Sequence, residues 1–276
     1  MTPERTSQPA APDSAIETIA LTRKFGDLIA VNRIHLRVGR GKIFGLLGPN
    51  GAGKSTTIKI LTTLLEPTSG AARVAGFDVV KSPSQVRRRI GYVPQMLSAD
   101  GSLTGYENLM LSAKLYGMAH ADRKERVSEA LDFMGISEAG NKLAKTYSGG
   151  MIRRLEVAQA MLHRPAVLFL DEPTIGLDPV ARRAVWERLR ELNDRFGMTV
   201  LITTHDMDEA DTLCDELAIM HRGKVSATGK PSELKAALGA DATLDDVFAH
   251  FSGGSIHEGG DYRDIRRTRN TASRLG

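Results

Sequence analysis

The sequence predicts an α/β fold with a mostly parallel core sheet, an N-terminal antiparallel β subdomain and an inserted α-helical subdomain. Three observations carry that reading. Of two short apolar runs, Ile43-Phe44-Gly45-Leu46-Leu47 suits a buried strand, and the wholly apolar Val167-Leu168-Phe169-Leu170 a central parallel strand buried on both faces. Between residues 16 and 47 apolar and polar residues alternate, with Ile34, Leu36 and Val38 set against His35 and Arg37, as in a half-exposed strand. Residues 98–145 then change to helical spacing between two stretches of strand.

The elements follow in chain order. Residues 1–15, rich in Pro, Thr and Ala, read as disordered and lack the apolar centre of a signal peptide. From Ile16 to Leu47, two or three antiparallel strands lead into a Gly-rich loop. Ile58, Leu61 and Leu65 continue at helical spacing until the turn cluster Glu66-Pro67-Thr68-Ser69-Gly70. Val74 and Ile90-Gly91-Tyr92-Val93 are further short strands, the second interrupted by Pro94 and Gln95. A helical subdomain over about 96–147 comes next. In it Thr104 and Glu107 form a capping box ahead of Leu109, Leu111 and Leu115, and Val127, Ala130, Leu131 and Met134 make a second stripe that stops at Gly135. The core resumes with a helix from Ser148 to His163 and the apolar strand at 167–170. Asp178 before Pro179 is a helix start, with the acid at the N-cap and Pro at the first helical position. Thr199–Thr203 is a core strand, Asp206–Asp215 a helix, and Leu217–Met220 pairs with Lys224–Ala227 about Arg222-Gly223. Residues 16–251 therefore read as one domain, and 252–276 as a polar tail without a core.

Composition narrows the setting. A hydrophobic content of 41% is ordinary for a soluble globule with a substantial core. No apolar run approaches the ~18–20 residues that cross a bilayer. Cys214 is the only cysteine, which excludes an internal disulfide and suits a reducing cytoplasm. The net charge of +4 is mild. Arg87-Arg88-Arg89 and Arg153-Arg154 read as solvated faces or contacts to acidic partners, and nucleic acid is not an expected partner.

Chemistry enters at Gly48-Pro49-Asn50-Gly51-Ala52-Gly53-Lys54-Ser55-Thr56, which satisfies G-x-x-x-x-G-K-[ST]. Glycines let the backbone aim several N–H groups at a polyphosphate at a helix N-terminus. Lys54 adds a cation for the β- and γ-phosphates, and the Ser55 hydroxyl can ligate Mg²⁺. The core is thus expected to be a P-loop NTPase. Asp171 and Glu172 stand at the end of the second apolar run. Asp171 is positioned to hold Mg²⁺, and Glu172 to polarise a water for in-line attack.

Ser148-Gly149-Gly150-Met151, preceded by Tyr147 and followed by Arg153-Arg154-Leu155, resembles the signature motif of ATP-binding cassette (ABC) ATPases. Other pieces match in order: Gln95 after Val93-Pro94, Gly176-Leu177-Asp178-Pro179 after the acidic strand, His205 after Thr203-Thr204, and Phe25 in Arg23-Lys24-Phe25-Gly26. The likeness covers roughly residues 16–230. It implies that Phe25 stacks on the adenine of ATP and that the loop through Thr56 wraps the phosphates. Ser55 and Gln95 would complete the Mg²⁺ shell. Glu172 would be the general base, with His205 at the γ-phosphate. Ser148, Gly149 and Gly150 would contact ATP held by a second subunit, giving a head-to-tail dimer coupled through Asp178. Taken singly, Gln95, His205 and Phe25 carry little information, and His163, His221 and His250 read as structural. Two departures stand out: Met151 replaces the usual Gln, and Phe25 the more usual Tyr.

Tyr-Ser-Gly-Gly-Met with two arginines, together with Leu-Thr-Gly-Tyr-Glu-Asn-Leu and Leu244-Asp245-Asp246-Val247-Phe248, is similar to ATPase subunits of ABC-2-type exporters, including the daunorubicin-resistance and nodulation-factor types. This implies a separate ABC-2-type membrane permease, a homodimeric pair of ATPase subunits at the cytoplasmic face of the membrane, and a helical subdomain that receives a permease helix, with Gln95 as hinge. The basic tail from Arg263 to Arg274 is expected to touch anionic lipid or the permease. The competing classes are a soluble ABC ATPase acting on ribosomes or nucleic acid, and a non-ABC ATPase. The first usually has two cassettes or a long coiled coil, and the second would lack Ser148-Gly149-Gly150 and His205.

Overall fold

Strands β1 (Ser14–Phe25) and β2 (Leu28–Gly39) form a hairpin about Gly26-Asp27, and β4 (Ser69–Val74) and β5 (Phe77–Asp78) extend it. The order is β2-β1-β4-β5, with antiparallel neighbours throughout. In β2, Ile34, Leu36 and Val38 are buried while His35 and Arg37 face out, as the alternation predicts. The computed structural model describes residues 14–252. The expected unstructured start therefore needs correcting at its end, since Ser14 and Ala15 belong to β1 and Ala15 is buried. Residues 1–13, and the tail from 253 with its basic stretch, lie outside the described residues.

The second sheet has the order β10-β9-β3-β8-β7-β6, built from β3 (Ile43–Leu47), β6 (Ile90–Val93), β7 (Val167–Asp171), β8 (Thr199–Thr204), β9 (Glu216–His221) and β10 (Lys224–Gly229). All neighbours are parallel except β10, which returns antiparallel on the edge. Every residue of β3, β7 and β8 is buried, as parallel strands covered on both faces require. Alternate residues feed two cores. Phe44, Leu46, Phe169 and Leu201 pack with Ile58 and Leu61 and with the antiparallel sheet. Ile43, Leu168, Leu170, Val200 and Ile202 pack beneath Leu155, Val185, Leu189 and Leu192. The third N-terminal strand, β3, is thus parallel and belongs to the second sheet.

Helix α1 (Lys54–Leu61) stops a turn short of the expected Leu65. Thr62 turns its hydroxyl back onto Ile58 O (2.9 Å), Thr63 takes φ +64°, and the N–H groups of Leu64 and Leu65 both return to Lys59 O. A β-branched threonine that bonds its own backbone competes with helix propagation, and the left-handed turn at Thr63 ends the helix here. Between β5 and β6 comes the short α2 (Pro83–Arg87). The helical subdomain lies between β6 and β7 and holds α3 (Gly105–Leu115) and α4 (His120–Phe133). Thr104 and Glu107 make the expected capping box, with Thr104 Oγ1 accepting from Glu107 N–H and Glu107 Oε2 accepting from Thr104 N–H. The remaining helices are α5 (Gly149–Met161), α6 (Pro179–Phe196), α7 (Met207–Leu213), α8 (Pro231–Ala236) and α9 (Leu244–Phe251). Asp178 caps α6 through bonds from the Val180 and Ala181 N–H groups, each 3.0 Å.

His163 closes the junction between the helical subdomain and the core. Its Nε2–H donates to Ile90 O (3.0 Å), and its ring stacks on Tyr116 at 3.9 Å. Burial holds its pKa below the ordinary value. The unfolded chain therefore takes up a proton near pH ~6.5 that the folded ring resists, so stability falls as pH drops through that value and levels off below the folded pKa. Denaturant midpoints measured from pH 7.5 to 5 should decline, and His163→Gln should flatten part of that decline. An equal slope in the variant would assign the acid sensitivity to other groups.

Candidate nucleotide-binding site

The parallel register builds the site. Leu47 pairs with Thr204 and Asp171 with Thr203, so β3, β8 and β7 end together. Gly48 leaves β3 with its N–H on Thr204 O (3.2 Å). A Cβ at Gly53 would stand 2.3 Å from Ala30 O, and Gly53 also has φ +103°. Only glycine fits there, and the loop reaches α1 wrapped closely against β2.

Lys54 folds back over this loop. Its Nζ donates to Gly48 O (2.7 Å) and Pro49 O (3.2 Å) and lies 3.3 Å from Glu172 Oε1. The side chains of Lys54 and Glu172 are 4% and 6% exposed. Burial pulls the Lys54 pKa down, and the charges of Glu172 and Asp171 oppose that shift. Such a pair is expensive to desolvate, and removing one partner leaves a buried charge uncompensated.

Asp171 is equally constrained. Its Oδ1 accepts from Ser55 Oγ (3.0 Å) and Thr203 Oγ1 (2.6 Å). Thr203 Oγ1 in turn accepts from the Glu172 N–H (3.0 Å), so one hydroxyl orients both acids. Burial and then the Asp171 charge push the Tyr92 phenol up to about 12. Glu172 sits at φ +49°, a left-handed conformation that costs a non-glycine residue roughly 1–3 kcal/mol. Its Oε2 is 3.2 Å from His205 Nδ1 but misaligned with it, and has no hydrogen-bond partner although buried. An orphaned buried carboxylate oxygen beside a half-exposed histidine is an acceptor placed to take a proton from a water. The Ser55 hydroxyl and the Asp171 carboxylate supply hard oxygen donors of the kind Mg²⁺ takes, so the residues fit that ion.

The other candidates stand apart from this cluster. Phe25 is half exposed, with the Arg23 guanidinium 4.6 Å from its ring centre. Gln95 is exposed, and its backbone carbonyl accepts from Arg153 (2.9 Å). Ser148 caps α5, its Oγ accepting from the Met151 N–H (3.3 Å). Gly150 presses on α6, where an added Cβ would come within 2.8 Å of Ala181 Cβ. Ser148, Gly149 and Asp178 are all exposed. Among the described residues, no hydrogen bond or ion pair joins Phe25, Gln95, Ser148, Gly149, Gly150 or Asp178 to Lys54, Asp171 or Glu172. Met151 packs partly buried against the core.

Sequence reading gave Arg153 and Arg154 as part of a solvated face or as contacts to acidic partners, the first of which is the expectation the structure tests. That expectation is wrong for Arg153, which is buried, while Arg154 is partly buried and donates to Met134 O and Gly135 O. It also overlooked Thr203, whose signal was a hydroxyl next to the last residue of a buried strand. A further group it missed is Glu209, whose Oε1 accepts from Thr174 Oγ1 (2.7 Å) and Trp186 Nε1 (2.8 Å) and whose pKa burial raises. These contacts tie α7, which follows His205, to α6.

The chain is similar to known proteins in sequence and in fold. The ABC transporter family pattern matches residues 31–175. Over 230 residues the chain is 49% identical to the daunorubicin/doxorubicin resistance ATP-binding protein of Streptomyces peucetius, covering 83% of this chain and 69% of that protein. It is 39% identical over 224 residues to the linearmycin resistance ATP-binding protein of Bacillus subtilis, with 81% and 72% covered. A solved ATP-binding subunit of an ABC transporter superposes with a TM-score of 0.77 at 31% identity, over 87% of this chain and 100% of that one. A dimeric ATP-binding cassette in a post-hydrolysis state with ADP and Pi superposes with a TM-score of 0.70 at 26% identity, over 78% and 98%. The chain therefore belongs to the ABC transporter family, as an ATP-binding ATPase subunit homologous to drug-resistance exporter ATPases.

Proposed function

We propose that this chain is the motor of an ABC-2-type export complex, acting as a head-to-tail homodimer that closes on ATP at the cytoplasmic face of a membrane and drives a separate permease. The observation that supports the chemistry best is the orphaned Glu172 Oε2, set between Lys54 and His205. Residues 16–251 are then one ATPase domain, with 96–147 as its helical subdomain.

In this reading Phe25 stacks on adenine, and residues 48–56 surround the phosphates with backbone N–H groups. Lys54 exchanges the Gly48 and Pro49 carbonyls for phosphate oxygens. Ser55, Asp171 and Gln95 would hold Mg²⁺, which when bound neutralises charge on the phosphates. Glu172 takes a proton at Oε2 from the attacking water, and His205 orients that water from its half-exposed position at the γ-phosphate. Ser148 and Gly149, exposed at the start of α5, face the nucleotide of the second copy together with the buried Gly150, and Asp178 lies along the same interface. A hydroxyl with backbone N–H groups at a helix start suits an anion.

Export rests on the relatives named for drug resistance. Among the described residues no helix is long and apolar enough to cross a membrane, which supports a separate permease. On the helical subdomain side, Met96 (82%), Leu97, Leu111 and Leu115 (79%) are exposed apolar residues on and just before α3. Such a surface suits the permease's cytoplasmic helix.

Glu172→Gln should bind ATP, hydrolyse it about 10²–10⁴-fold more slowly, and accumulate dimers on ATP, seen by turnover assay and size-exclusion chromatography. Unchanged turnover would remove Glu172 from the role of base. The head-to-tail dimer makes a further prediction. Ser148→Arg and Glu172→Gln chains should each be inactive alone, yet regain hydrolysis when mixed, because one of the two shared sites then keeps both intact halves. No recovery on mixing, with heterodimers demonstrably formed, would place Ser148 outside the shared site.

A further inference from the structure

One fully buried ion pair plays no part in the chemistry above. Arg153 and Glu156 lie one helical turn apart on α5, 2.9 Å from each other, with side chains 3% and 1% exposed. Both turn toward the segment that follows β6. Arg153 donates through Nη1 to Pro94 O (2.8 Å) and through Nη2 to Gln95 O (2.9 Å). Glu156 Oε1 accepts from the Ser98 N–H and from the Ser98 hydroxyl (3.1 Å). Among the described residues, every hydrogen bond of 94–98 ends on one of these two side chains. The segment has little packing of its own, since Gln95, Met96 and Leu97 are exposed. Burial lowers the Arg153 pKa, and the charges of Glu156 and Asp171 resist that.

Energetics make the pair informative. A buried ion pair is often no more stabilising than apolar residues of the same size. Leu155, Val157 and Ala158 show that α5 can otherwise fill its buried face with apolar groups. What apolar residues could not supply is a planar fork reaching two successive carbonyls, which is the particular capacity of arginine. The fork grips the backbone of Gln95 itself, and it projects from the helix that opens at Ser148.

We propose that Arg153 and Glu156 are positioning residues that lock the 94–98 segment to α5, so that Gln95 and the Ser148-Gly149-Gly150 turn move as one body relative to Lys54 and Glu172. The inference rests on the reading of Gln95 as a contact for nucleotide or Mg²⁺.

The test is steady-state ATP hydrolysis by the full chain, with turnover, KM for ATP and Mg²⁺ activation, alongside thermal unfolding. The main variant is Arg153→Met with Glu156→Leu, which removes both charges together and leaves none buried alone. It should fold with a melting temperature close to the parent, lose turnover by about ten- to a hundredfold, as misplacement of a site by an ångström does, and need more Mg²⁺. In a Gln95→Ala background the same double change should cost less than twofold. Glu156→Gln, which keeps the shape, serves as the milder variant if the double change fails to fold, and should show the same dependence on Gln95. Parental turnover in a folded variant, or an equal fold loss in both backgrounds, would overturn the proposal and leave the pair a matter of stability. If Gln95→Ala alone changed neither turnover nor Mg²⁺ dependence, the assignment of Gln95 would fall and the clamp with it.

Discussion

The parallel alignment of β3, β8 and β7 is the constraint on which the rest depends. These strands are buried on both faces, and their ends bring Gly48, Thr203, Thr204 and Asp171 to one edge although they are far apart in the chain. A slip of one residue would exchange the two sets of side chains between two differently shaped cores. Burial thus fixes register, and register fixes the distance between a lysine on α1 and a glutamate after β7. The crevice beyond the carboxyl ends of parallel strands is where α/β sheets generally bind ligands.

Charge is concentrated at this edge against the ordinary tendency of proteins to keep it in water. Lys54, Asp171 and Glu172 are all buried, and each leans on another or on a hydroxyl of Ser55 or Thr203. Glu172 additionally holds an unfavourable backbone conformation. Strain and buried charge kept together are characteristic of sites that must be ready before their ligand arrives. The signature turn and Asp178 differ in kind. Ser148 and Asp178 are exposed and cap the helices they open, while Gly150 is buried.

Much of this was legible in the sequence, for identifiable reasons. Apolar runs of strand length reveal strands buried on both faces, and Ser148, Asp178 and the Thr104–Glu107 box reveal helix starts because capping is a local bond between near neighbours. The phosphate loop and the two acids were visible because their spacing is itself the chemistry. The early end of α1 was not, since it depends on how Thr62 and Thr63 divide their bonds between helix and turn. Nor was the place of β3 in the parallel sheet, which is set by partners more than 150 residues away. Arg153 was misread for a similar reason. Two adjacent arginines on a helix look solvated until the fold supplies buried carbonyls for one of them. Thr203 was hidden by its strand propensity, which explains its position without any reference to the acids it orients.

The measurement that bears most directly on the export reading is recovery of partners from the native host. Tagged Glu172→Gln chain, loaded with ATP, would be isolated from detergent-solubilised membranes and its companions identified. An export motor predicts a multi-span membrane protein in about equal amount to the ATPase. Recovery only from the cytosol, together with ribosomes or nucleic acid, would leave the ATPase assignment standing and contradict its coupling to a permease.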